Sequence, residues 1–325
     1  MKGLKDIAEA ADVSMITVSR VINGSEKVKP ETKKRIEEVM ASMTYLPNMA
    51  AKNLAARRSG VIDIYIPENL DLSDPFMMQF IVGISEILSA HMYSFLIKRS
   101  WAKEHSCDGY IVTGLLTNEI DDFYARAKAR NLPVVLFGHT DIEEVDYFSV
   151  DDVSGGMMAV NHLLQHNHTK IAMINSDENK DYALDRYLGY EKALRSAGIS
   201  LDPQLVLRAP NNAEGGKAAV KKLLTRGEFT AIFCAADPLA IGAINGLNEE
   251  GLRVPDDISI IGFDGLGRQF LADPLVTTMQ QPVAKIGKIL AKTLINRIKG
   301  GKTRTAGFLQ PELLPGKSVK RRLSC

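Results

Sequence analysis

The chain has 325 residues, 45% hydrophobic and 24% charged, enough for a large core and for one to three domains. Its net charge of +1 hides an asymmetry: residues 1–60 carry eleven basic against seven acidic side chains and the remainder 29 against 32, which points to a polyanionic partner for the head alone. Three scattered cysteines argue against a disulfide framework, the N-terminal "MKGLKDIAEAADVS" has no apolar signal core, and no run approaches 18 apolar residues, so the expectation is a cytoplasmic protein without a membrane span.

Leu4, Ile7, Ala8 and Ala11 lie on one face of a short first helix. Asp12-Val13 reads as a turn, and Ser14 as the cap of a second helix with Val18, Val21 and Ile22 at helical spacing, stopped by Gly24. Pro30 and Glu31 suit the first turn of a third, with Ile36, Val39, Met40 and Met43 as its buried stripe. Three helices in about 45 residues, the first two joined by a very short turn, form a helix-turn-helix pattern, whose second helix presents its first turn to base edges. That turn is Ser14, Met15, Ile16 and Thr17, followed by Ser19 and Arg20. Arg20 suits guanine, the hydroxyls suit phosphate or bases, and Met15 and Ile16 suit thymine methyls. Asn23, in the break after the helix, is counted with them. On the alternative reading the stretch is an ordinary helical hairpin with Met15 and Ile16 in its core. "YLPNMAAKNLAARRS", residues 45–59, has good helix formers but few large apolar residues, and reads as a linker that becomes helical only against a partner.

From Gly60 the texture changes. Apolar runs such as "VIDIYIP", "YSFLIK", "GYIVTG", "PVVLFG", "KIAMIN", "TAIFCA" and "ISIIGFD" alternate with helical patterns such as "MMQFIVGISEILSAH" and "RYLGYEKALRSAG". This is an α/β pattern of two doubly wound parallel halves, roughly 60–149 and 150–275, with a ligand cleft between them. His162, His166 and His168 could hold a metal, but the blander reading is a helix C-terminus with Asn167 in the left-handed conformation. No phosphate loop, nucleophile elbow or matched catalytic carboxylate pair is present in the sequence, so neither an enzyme nor a cofactor is expected.

"LKDIAEAADVSMITVSRVINGSEKVKPETKKRI" and "YLPNMAAKNLA" closely resemble the lactose-repressor/galactose-repressor family of bacterial transcription regulators. The likeness continues through "SDPFMMQFIVGI", "CDGYIV", "NHLLQHNHTKIAMI", "RYLGYEKAL", "ADPLAIGAINGLNEEGLRVPDDISIIGFD", "PLVTTMQQP" and "RRLSC". The resemblance implies a helix-turn-helix head over residues 1–47, a hinge helix and linker over 48–59, and a core over 60–325 that is similar to periplasmic sugar-binding proteins. It implies a homodimer on a pseudo-palindromic operator, with Leu54 wedged into the minor groove and Ala51 small enough for paired hinge helices. The expected effector is a small molecule, read as a sugar, with Asp74, Phe76, Arg186, Asp264 and Gln281 matching family ligand contacts. Purines are the family's other effector class, and a solute-binding protein without a DNA role is the alternative of a different kind. Gly138 stands where some members carry an aspartate, Ala236 replaces a common asparagine, and Asp237 is either a ligand contact or a helix cap. With no leucine heptads after "RRLSC", a dimer rather than a tetramer is expected.

One segment departs from the family. Ten residues, 99–108, separate the strand "YSFLIK" from "GYIVTG", too few for a normal crossover helix. A loop or single turn is expected there, leaving part of a sheet face uncovered, with Trp101 folded over the gap.

Overall fold

Apolar spacing near the N-terminus is realised as three helices, α1 (Leu4–Ala10), α2 (Met15–Ile22) and α3 (Pro30–Ser42). The structure, a computed structural model, describes residues 3–22, 27–45, 53, 58–101, 105–178 and 180–322. Ile7, Ala8, Ala11, Val18, Val21 and Ile36 form the core of this bundle, whereas Leu4 is largely exposed. Asp12 takes a positive φ of 49° in the turn between α1 and α2, and Val13 N–H returns to Ala8 O. The chain divides into two compact units, Met1–Gly60 and Val61–Cys325. Asn23, Ala51 and Leu54, and most of the expected hinge, lie outside the described residues.

The second unit contains two six-stranded sheets. In chain order its elements are β1 (Val61–Tyr65), α4 (Pro75–Ala90), β2 (Ser94–Lys98), β3 (Tyr110–Thr113), α5 (Thr117–Ala129), β4 (Val134–Phe137), β5 (Asp146–Val150), α6 (Asp152–Gln165), β6 (Ile171–Ser176) and α7 (Asp181–Ser196). There follow β7 (Val206–Ala209), α8 (Ala213–Leu224), β8 (Ala231–Cys234), α9 (Asp237–Glu249), β9 (Ser259–Asp264), β10 (Thr277–Gln280), α10 (Val283–Ile298), β11 (Ala306–Leu309) and β12 (Glu312–Leu314). The first sheet runs β11-β5-β4-β3-β1-β2 and the second β12-β10-β9-β8-β6-β7.

One sequence expectation needs correction. The subdomains are not contiguous halves, because after β10 the chain returns to the first sheet through α10 and β11. Helix α10 packs on α4 across a shared aliphatic core, and Arg297 on α10 grips Asp146 of β5 with two bonds of 2.6 and 2.9 Å. Both sheets are parallel as expected, apart from one edge, where β12 pairs antiparallel with β10. The backbone therefore crosses between subdomains three times, at 150–152, 280–283 and 309–312.

The shortened crossover behaves as its length dictates. No helix occurs among the described residues between β2 and β3, yet β2 stays parallel to β1 at the sheet edge. Leu96 on β2 is left 49% exposed. Trp101 folds back onto Tyr65, Tyr110 and Phe123, with ring centroids 4.9–5.8 Å apart, and Lys98 Nζ lies 5.0 Å from its ring. His105 Nε2 meets the fully buried Asp63 at 2.7 Å, and Arg130 donates to His105 O and to the Tyr110 hydroxyl. Aromatic stacking and a few charged bonds thus supply cover from the described residues of this connection.

Candidate functional site

Two places concentrate chemistry, one in each unit. In the first, Ser14 Oγ accepts from Thr17 N–H at 3.2 Å and lies 2.9 Å from Thr17 Oγ1, capping α2 as expected. Val18 and Val21 turn inward, while Met15 and Ile16 are 54% and 65% exposed and Arg20 is exposed beyond them. A hairpin that used Met15 and Ile16 as core would bury them. Presenting two large apolar side chains to water on a basic unit suits a partner that offers both apolar edges and phosphates.

In the second unit a cleft of about 860 Å³ opens between the subdomains at the C-terminal strand ends. Its floor is a buried ionic network. Helices α6 and α7 approach closely enough that a Cβ on Gly156 would sit 2.6 Å from Arg186 O. That proximity sets Arg186 Nε 2.7 Å from Asp152 Oδ1, Asp152 being the first residue of α6. Arg186 Nη1 donates to Ala235 O at 2.6 Å and to Asp264 Oδ1 at 3.4 Å, and its guanidinium lies 3.7 Å from the Phe263 ring centre and 4.7 Å from that of Tyr182. Gln281 donates to Asp264 Oδ1 at 2.7 Å. Asp264 itself has φ of +131°, unusual for a non-glycine residue and the kind of strain that functional sites retain.

Asp237 is not the helix cap, and it is among the residues that line the cleft. Ala236 is the cap and Asp237 the first helical residue of α9; its carboxyl accepts from Thr278 Oγ1 at 2.6 Å and from Gly265 N–H at 2.9 Å. Burial, reinforced by the charge of Asp264, pushes its proton affinity above the ordinary carboxylate range. Burial also raises Asp264, against the opposing pull of Arg186 and the Gln281 amide. At Arg186 burial disfavours the charge, but Asp152 and Asp264 outweigh it and keep the guanidinium charged.

From the first subdomain, Asp74 caps α4 by accepting from Phe76 N–H at 2.8 Å. Phe76 packs edge-on to Phe137 at 4.9 Å and lines the cleft beside Gly138 and His139. All five expected effector residues therefore line one cavity. Tyr182, His139, Asp185, Asn211 and Arg268 also line it and went unnoticed in the sequence, because none belongs to a spaced motif. The histidine segment reads structurally: Asn167 has φ of 63°, and His168 contacts Thr230 and Lys320 O at 3.0 and 2.9 Å.

Family models match both units: the lacI family of bacterial regulatory proteins over residues 3–48, and a periplasmic binding protein-like domain over 160–319. The HTH-type transcriptional regulator YvdE of Bacillus subtilis is 32% identical over 322 residues, covering 98% of this chain and 100% of that protein. The chain belongs to the lacI family.

Solved structures of the family agree with the architecture. The transcriptional regulator CelR in complex with cellobiose superposes with a TM-score of 0.73 at 28% identity, covering 98% of this chain and all of that one. The lac repressor dimer bound to operator gives 0.73 at 25% identity, covering 98% and 99%. The relatives are transcriptional regulators, and no described helix of this lacI-family chain is long and apolar enough to cross a membrane.

Proposed function

We propose that this lacI-family regulator is a cytoplasmic, non-enzymatic homodimeric repressor of a pseudo-palindromic operator, released or engaged by a neutral sugar. The carrying observation is α2, whose inner face is buried while Met15, Ile16 and Arg20 stand exposed on the other. Two copies related by two-fold symmetry would read two half-sites. Exposed Met78 and Val82 on α4, with Leu96 and Ile97 on the neighbouring β2, supply apolar surface for the partner. On the sequence reading, Leu54 and Ala51 act from the hinge.

The charge of the cleft favours an uncharged ligand. Eight acidic side chains line it against three Lys or Arg side chains, and even with Asp237 holding a proton the balance repels sugar phosphates and nucleotides. Hydroxyl groups donate well to such acceptors, and Asn211 Oδ1 is buried without a partner among the described residues. Aromatic faces at Phe76 and Tyr182 suit a pyranose ring. Thermal-shift measurements with neutral mono- and disaccharides, sugar phosphates and nucleosides test this reading. A sugar present at a hundred times its Kd stabilises the native core by about 2.7 kcal/mol. A shift with nucleosides alone would favour the nucleobase alternative, and a shift with sugar phosphates alone would contradict the electrostatic argument.

A further inference from the structure

Asp74 has a second partner, and it comes from the opposite wall of the cleft. Its Oδ1 caps α4, and its Oδ2 lies 3.3 Å from Arg268 Nη2. Arg268 follows β9 on a loop that bends at Gly265 and Gly267, with φ of +62° and +107°, so the segment turns sharply twice before reaching across. Between them Leu266 leaves its own subdomain to pack against the aliphatic core of the first. The same loop thus makes one apolar and one ionic contact across the opening, and both end on residues that line the cavity. A second bridge, His139 Nε2 to Asp181 Oδ2 at 3.9 Å, is ionic only when the imidazole is protonated.

We propose that Arg268 is a movable latch that pairs with Asp74 to hold the two subdomains together, and that effector binding breaks or replaces this pair. The inference rests on reading the cleft as the effector site. Asp74, expected as a ligand contact, is already engaged here, so a ligand needing its carboxylate must compete with Arg268. Both side chains are more than a third exposed, 37% and 41%, so the pair is weak enough to open and screened by salt. A weak latch serves regulation better than a strong one, because a ligand can shift an equilibrium only by its differential affinity for the two states.

Single-molecule dye distances test the latch without any ligand. Dyes on Asp121→Cys (α5) and Lys222→Cys (α8), both exposed, report the subdomain separation, with Cys325→Ser in the background and labelled chain diluted into unlabelled. Asp74→Asn keeps the helix cap but loses the charge. Asp74→Asn and Arg268→Gln are each expected to lower the latched-to-unlatched ratio two- to fivefold, and the double variant no further. Raising NaCl from 50 to 500 mM should mimic them in the unaltered chain and do little in Arg268→Gln. Additive shifts, or no shift with Arg268→Gln, would overturn the latch. If a sugar binds, Arg268→Gln should bind it two- to fivefold tighter; tenfold weaker binding would make Arg268 a ligand contact and overturn the proposal. Because the dye distances need no ligand, absence of sugar binding counts against the reading of the cleft alone.

Discussion

Asp237 shows how one residue ties the cleft to stability. Its carboxyl is fully buried, bonded to Thr278 and Gly265, and close to Asp264, whose charge Arg186, already paired with Asp152, offsets only in part. With its folded pKa raised, the native chain holds a proton that the unfolded chain loses. Stability therefore falls as pH rises from the ordinary carboxylate range, near 3.8, up through the raised value. Asp237→Asn removes the charge and keeps both contacts, its carbonyl oxygen accepting from Gly265 N–H and its amide now donating to Thr278 Oγ1. Chemical denaturation at pH 8 should find this variant about 1–2 kcal/mol more stable than the unaltered chain, since a tenfold change in proton affinity is worth about 1.4 kcal/mol. The difference should shrink at pH 5. A variant less stable at pH 8 would show that the carboxylate is charged and favourably held. Little of this was legible in the sequence. Asp237 stood out only as a possible cap or contact, because the partners that define it come from strands 27 and 41 residues away.

At the scale of elements the sequence was a better guide, and its errors are instructive. Period-3.6 patterns located α1–α3, and apolar runs located most strands, because each signal is local. The return of α10 and β11 to the first sheet was not visible, since "VAKIGKILAKTLINRI" says only that one face is apolar, not which sheet it covers. Length, in contrast, was enough to rule out a normal crossover helix, and none occurs among the described residues of the 99–108 connection. There Trp101 is the principal cover over Tyr65, Tyr110 and Phe123. Trp101→Ala should destabilise the second unit by about 2–3 kcal/mol, below the 3–5 kcal/mol typical of fully buried large aromatics because its ring is only half-buried. Circular dichroism is the measurement, as Trp101 is the only tryptophan. An unchanged midpoint would mean that the uncovered sheet face needs no cover.

For the whole molecule, the functional reading requires a basic head used in pairs and a core that answers a ligand. Apolar side chains on α4 and β2 are the surface a dimer would bury, so Val82→Glu with Leu96→Asp should convert a dimer to monomer in sedimentation at micromolar concentration. A stable tetramer in the unaltered chain would contradict the proposed assembly. The most direct test of the central claim is affinity selection of the full-length protein on a random duplex library at physiological salt, followed by sequencing. The account predicts one enriched two-fold-symmetric site, bound about 10³-fold or more tighter than random DNA, with Arg20→Ala losing roughly 1–3 kcal/mol at one base position in each half-site. Enrichment of no sequence, or equal affinity for random duplex, would contradict it.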